Sequence, residues 1–205
     1  MTTTATNFVH VFERGSDPDR PPLLLLHGTG GDEHDLVPLG RAVAPGASVL
    51  SPRGKVLEGA APRFFRRLAE GVFDEADLTA RTHELADFIG EARARYGQPS
   101  PIALGFSNGA NIAASLLLLR PEVLAGAALL RAMPPFRDPP RVDLTGKPVL
   151  LLSGLMDPIM PAAASTRLAE TFAAAGAEVR HQALPAGHGL TQADIGQLSQ
   201  WLARR

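Results

Sequence analysis

PIALGFSNGANIAASLLLL, residues 101–119, decides the fold. An apolar run opens it, a helical run closes it before Pro121, and Gly105-Phe106-Ser107-Asn108-Gly109 lies between them. The reading is a strand over Ile102–Phe106, a turn at Ser107 and a helix over Asn108–Leu119. The turn has the form G-x-S-x-G. With 9 serines and 20 glycines in 205 residues, chance gives about 0.09 such matches, so the context has to decide. A serine between a strand and a helix sits on a strained backbone that lifts its hydroxyl out of the sheet edge. Its flanking glycines let the turn pack closely, and the helix N-terminus behind it supplies partial positive charge. Ser and Asn also cap helices well, which is the competing reading. Strand, turn and helix together favour a nucleophile.

Outward from this stretch, short apolar runs alternate with longer helical patterns. Phe8–Phe12 alternates like an early strand. Leu23–His27 is an unbroken apolar run ending at Gly28, as in a parallel strand buried on both faces. Leu36–Ala44 reads as a short helix, Ser48–Ser51 as a strand and Asp77–Tyr96 as a long amphipathic helix. Ala127–Arg131 and Val149–Ser153 are strands. Pro161–Ala175 is a helix stopped by Gly176. Glu178–Leu184 is a last strand and Thr191–Leu202 a last helix. The expected fold is α/β: a doubly wound, mostly parallel sheet with helices on both faces, as one domain over residues 1–205. The irregular stretches Arg53–Asp77 and Ala132–Lys147 follow strand ends, where they can line a site at the carboxyl edge.

A serine needs a base, and the base needs a carboxylate to orient it. On this architecture the chain order is Ser, then Asp or Glu, then His. Two histidines follow Ser107. His181 lies inside the last strand and reads as structural. His188, in Gly187-His188-Gly189, leaves that strand at the edge where Ser107 stands. Among the intervening carboxylates, Asp157 occupies the loop after Val149–Ser153. Its alternative reading is a turn-forming Asp-Pro. Asp194 breaks the order and reads as first-turn chemistry of the last helix.

Acyl transfer also needs N–H donors for the developing oxyanion. Asn108 supplies one backbone donor. Thr29, in Gly28-Thr29-Gly30-Gly31, is the candidate for the second. That loop lacks the ending of a phosphate loop and the spacing of a dinucleotide site. His27 beside it reads as structural. Phe64, Phe65 and Phe73 are a local concentration of aromatic residues and candidates for an apolar pocket wall. Met133, Phe136, Met156 and Ile159 are candidates for the acyl side. Arg53 and Arg66 are candidates for an anionic or phenolic group.

Composition removes other classes. Lys+Arg of 20 against Asp+Glu of 21 leaves a net charge of −1, with no basic footprint for nucleic acid or an anionic membrane. The absence of cysteine excludes disulfides, thiolate metal sites and a cysteine nucleophile. Nothing pairs at helical metal spacing, and no cofactor is expected. Residues 1–15 lack a basic region followed by a long apolar one, so no signal peptide is read. Leu23–Leu26 and Ile112–Leu119 are too short to span a bilayer. A cytoplasmic protein is expected.

LLLLHGTGGDE, GFSNGANIA, SGLMDPIMP and AGHGL together resemble the bacterial carboxylesterase branch of the phospholipase/carboxylesterase family, close to the acyl-protein thioesterases. SPRG (51–54) and PRFFRRLAEGVFDEADL (62–78) resemble a subgroup linked to hydroquinone and quinone stress. The resemblance implies an α/β-hydrolase without a separate lid domain, with Ser107, Asp157 and His188 as triad. It places the oxyanion donors at the Thr29 and Asn108 amides, and it extends to a homodimer. The thioesterases carry glutamine where this chain has Asn108, which weakens transfer of their substrate. The expected activity is a serine carboxylesterase acting on small, mainly apolar esters. The alternatives are a thioesterase or lysophospholipase with the same triad, or a non-catalytic quinone- or ligand-binding protein.

Overall fold

The computed structural model describes residues 8–205; the expectation of no signal peptide rests partly on residues 1–7, outside the described part. The main sheet has seven strands: β1 (His10–Glu13), β2 (Leu23–Leu26), β3 (Val49–Pro52), β8 (Ile102–Phe106), β9 (Gly126–Leu130), β10 (Pro148–Gly154) and β11 (Glu178–Leu184). Their order is β1-β3-β2-β8-β9-β10-β11. Only β1 is antiparallel, paired with β3 through His10 opposite Pro52 and Glu13 opposite Val49. The other pairings are parallel. The chain runs from β2 out to β3, then returns to lay β8 on the other side of β2. The order therefore reverses at β2/β8, where open α/β sheets form their ligand crevice.

Among the described residues five α-helices cover the two faces: α1 (Val37–Val43), α2 (Glu75–Tyr96), α3 (Asn108–Leu119), α4 (Ala162–Ala174) and α5 (Gln192–Leu202). The period-two alternation of β2 shows how the leucine run serves both. Leu23 and Leu25 pack with Val37 of α1 and Leu198 and Trp201 of α5. Leu24 and Leu26 belong to the core of the other face, with Leu85 and Ile89 of α2 and Leu116 of α3. All four leucines are fully buried, and each contributes about 1.5–3 kcal/mol. An unbroken apolar run is what a strand covered on both faces requires.

Most expected elements stand within a few residues of their reading. β1 begins at His10 instead of Phe8, which packs against Phe88. α2 begins at Glu75 instead of Asp77, because the Asp74 carboxylate accepts the Asp77 N–H at 3.1 Å and caps it. The stretch after β3 is more ordered than expected. It forms two hairpins, β4 (Val56–Glu58) with β5 (Ala61–Arg63), and β6 (Arg67–Ala69) with β7 (Val72–Phe73). No described helix is long and apolar enough to cross a membrane.

Candidate active site

The turn after β8 puts Ser107 at φ 53°, ψ −114°, a backbone conformation that L-residues rarely adopt. Two glycines permit it. A Cβ on Gly105 would lie 2.6 Å from the Gly109 carbonyl oxygen, and one on Gly109 would run into the Leu26 carbonyl. The Ser107 N–H is tied to the Leu130 carbonyl of β9 at 2.9 Å. The serine stands at the N-terminus of the twelve-residue α3, in the favourable end of its dipole.

His188 and Asp157 arrive from the loops after β11 and β10. His188 Nδ1 is 2.8 Å from Asp157 Oδ2, and Nε2 is 3.0 Å from Ser107 Oγ. An ionised carboxylate only accepts, so the Nδ1 proton donates to Asp157 and leaves Nε2 to accept the Ser107 hydroxyl. The other Asp157 oxygen accepts the Ile159 and Met160 N–H groups, both at 2.9 Å. Those bonds fix the carboxylate before it meets the imidazole. The constellation can accept a proton from Ser107 and hold the resulting imidazolium.

The Asn108 amide opens α3 and is one of the helix's orphan donors. The Asn108 side chain turns inward and accepts the Phe64 N–H at 2.8 Å. Thr29 follows Gly28, whose Cβ would come within 2.9 Å of the Phe106 ring, and precedes Gly30 at φ 86°. Both residues line the cavity that holds Ser107 and His188.

The hairpins brace the Thr29 loop. Gly30 N–H donates to Pro62 O at 3.0 Å, and Arg63 Nη1 donates to Thr29 Oγ1 at 2.8 Å. Arg53 forks onto Glu33 at 2.5 and 2.7 Å and holds its carboxyl below the usual range. His27 is buried, and that burial lowers its pKa. One ring nitrogen bonds the Gly28 carbonyl at 2.7 Å, while Nε2 accepts the Gly54 N–H at 3.0 Å. A neutral imidazole suits both bonds. His181 likewise has its pKa lowered by burial and lies 3.0 Å from Ser153 Oγ.

The serine cavity has a volume of about 320 Å³. Of the candidate wall and acyl-side residues, Phe73 and Ile159 line it; Phe64 and Phe65 do not. Phe64 packs over His27, and Phe65 is fully buried with its ring 5.0 Å from that of Phe73, so both belong to the core. Met133 and Phe136 line a neighbouring hollow. Met156 points outward and is 67% exposed, because its loop turns outward before Asp157 turns in. Arg53 and Arg66 are also placed elsewhere: Glu33 engages the first and Asp74 the second. Residues that the sequence did not single out also line it, among them Arg63, Arg67, Glu70, Phe106, Asn111 and Met160. Arg63 and Arg67 share Glu58 at 3.1 and 2.6 Å. Arginines in an aperiodic stretch carry no signal separating lining from surface. Among the described residues, no cluster of three His, Asp or Glu is arranged to hold a metal ion.

The chain is 46% identical to the putative hydrolase MhqD of Bacillus subtilis over 194 residues, 94% of this chain and 96% of that protein. A Bacillus cereus carboxylesterase structure matches with TM-score 0.94 at 47% identity, over 96% of this chain and 94% of that one. A Mesorhizobium loti carboxylesterase matches with TM-score 0.92 at 35% identity, over 100% and 98%. The fold is that of these α/β-hydrolases, and no separate lid domain stands among the described residues. A family model described as phospholipase/carboxylesterase matches residues 8–204, and the chain belongs to that family of hydrolases.

Proposed function

We propose that the chain is a serine carboxylesterase that hydrolyses small, mainly apolar carboxylic esters through an acyl-enzyme. The observation that carries this is His188 bonded at once to Ser107 Oγ and Asp157. His188 takes the Ser107 proton as the oxygen attacks the ester carbonyl. The Thr29 and Asn108 amides receive the oxyanion of the tetrahedral intermediate. His188 then gives its proton to the leaving alcohol, the C–O bond breaks, and the acyl group stays on Ser107. A water deprotonated by His188 releases the acid and restores the serine. Asp157 holds the tautomer throughout.

The apolar part of the lining, which stands beside Arg63, Arg67 and Glu70, supports the substrate class. Phe73, Phe106, Ile159 and Met160 offer apolar surface beside the serine, in a cavity at the small end of the ligand-site range. The carboxylesterases of B. cereus and M. loti share the fold at 47% and 35% identity. The test is hydrolysis of p-nitrophenyl esters from acetate to palmitate by wild type and Ser107→Ala. Short-chain activity that disappears in the variant is expected. A palmitate optimum refutes the small-ester class, and full activity in Ser107→Ala refutes the nucleophile.

A further inference from the structure

Among the described residues, two non-glycines adopt positive φ: Ser107 at 53° and Arg131 at 59°. Arg131 immediately follows Leu130, whose carbonyl accepts the Ser107 N–H. Its own N–H donates to Leu152 O at 2.9 Å, on the strand that feeds the Asp157 loop. The side chain is completely buried at the sheet's carboxyl edge. Nε donates to Gly187 O at 3.0 Å and Nη2 to Gly189 O at 3.1 Å, the two neighbours of His188. The fork is completed by Asp194, which receives Nη1 and Nη2 at 2.8 Å each and is itself fully buried.

We propose that Arg131, held by Asp194, is the positioning residue that sets the His188 loop relative to Ser107. This rests on His188 being the base of the proposed esterase. Flanked by glycines, His188 has little local restraint on its backbone. The guanidinium supplies that restraint from both sides, and its strained backbone lies one residue from the carbonyl that anchors the serine. A buried ion pair is a weak source of net stability but a strong source of fixed geometry when every donor is used. Left-handed backbone at a non-glycine persists where surrounding structure over-determines it, characteristically at functional sites. Lysine carries the charge on a single point and cannot reach both carbonyls and the carboxylate together.

The test compares Arg131→Lys and Asp194→Asn with wild type on p-nitrophenyl acetate, after near-ultraviolet circular dichroism has shown each to be folded. Asp194→Asn keeps an oxygen for Thr191 while weakening the arginine clamp, so it serves if Arg131→Lys does not fold. A kcat loss of about 10–100-fold with KM within about twofold is expected, the scale of a small misplacement of a reacting group. The downfield His188 Nδ1 proton resonance, identified by its disappearance in His188→Ala, should broaden or move. In a His188→Ala background, Arg131→Lys should remove no more than about a further twofold, because its target is gone. Multiplying losses in that background, or a folded variant with unchanged kcat and resonance, would overturn the inference. His188→Ala with wild-type rate would overturn the triad reading and this inference with it. His188→Ala inactive beside fully active Arg131→Lys overturns the inference alone.

Discussion

Replacing Ser107 by glycine should leave an inactive protein that is more stable than Ser107→Ala. At φ 53° and ψ −114°, any residue with a Cβ is strained, and this torsion pair mirrors an extended one that glycine adopts freely. Such a conformation costs on the order of 1–3 kcal/mol. Glycine returns about 0.5–1 kcal/mol of that through the greater freedom of the unfolded chain. Alanine keeps the Cβ and its strain while losing the same hydroxyl bond to His188, so it is the right reference. The difference should be about 1 kcal/mol in favour of glycine, with an outer range of about 0–2.5 kcal/mol. For a chain of this length that raises Tm by about 2–4 °C. Urea unfolding of the two variants at constant pH, with m-values compared, measures it. If Ser107→Ala is more stable than Ser107→Gly by about 0.5–1 kcal/mol, the ordinary cost of glycine, the turn stores no strain and that account of it is wrong.

Gly109→Ala should not yield folded protein, since its Cβ would meet the Leu26 carbonyl, whereas Gly196→Ala in α5 meets nothing within 4 Å and should stabilise by about 0.4–1 kcal/mol. Circular dichroism and expression level separate these outcomes, and equal behaviour would contradict the close approach of α3 to β2. Phe65→Ala should lower stability by about 3–5 kcal/mol, because the ring is core. Ile159→Ala should instead shift acyl-chain preference with little loss of stability; the reverse assignment in an ester series would move the pocket. Stability should fall as pH drops from about 7.5 to 5.5. His27 and His181 have lowered pKa in the folded state, so the unfolded chain binds more protons as pH falls below the ordinary histidine range. His27→Gln should flatten that slope; a slope unchanged in the variant would show that His27 is not its source.

The sheet was legible because parallel strands covered on both faces leave unbroken apolar runs. Leu23–Leu26 shows this: each leucine has a helix to face. The three residues of the constellation were legible for a related reason. Each follows a strand at its carboxyl end: the G-x-S-x-G turn marked Ser107, and the chain order Ser, Asp or Glu, His pointed to Asp157 and His188 in the loops after later strands. The residues from Arg53 to Phe73 gave no such pattern. Their strands are two or three residues long, too short for alternation to register. Arg63 is buried beside Phe64 and Phe65, so charge there was a poor guide to the surface. The phenylalanines were visible as a concentration, but whether they faced cavity or core depended on a hairpin that the sequence did not announce. Asp194 was legible as first-turn chemistry of α5, where it completes a capping box with the N-cap Thr191, and that reading is incomplete. Its other partner lies 63 residues earlier, and a contact over that distance leaves no local periodicity.

The parts left unread share a physical role. The Thr29 loop and the His188 loop are both rich in glycine, which allows close approach to a substrate but restrains neither loop. Restraint has to come from elsewhere in the chain. On one side it comes from the Arg53–Glu33 fork, the His27–Gly54 bond and the reach of Arg63 to Thr29. On the other it comes from Arg131 and Asp194. Arginine suits these places because one planar group can bond several acceptors set at fixed angles. The division predicts different failures. Disturbing the hairpin side should alter stabilisation of the oxyanion while Ser107 remains close to its base. Disturbing the Arg131 side should impair proton transfer while the donors stay in place. A substrate whose leaving alcohol needs little protonation, such as a p-nitrophenyl ester, should therefore suffer less than an alkyl ester from the second disturbance and equally from the first. Equal losses on both esters in Arg131→Lys would place its effect on the oxyanion side instead.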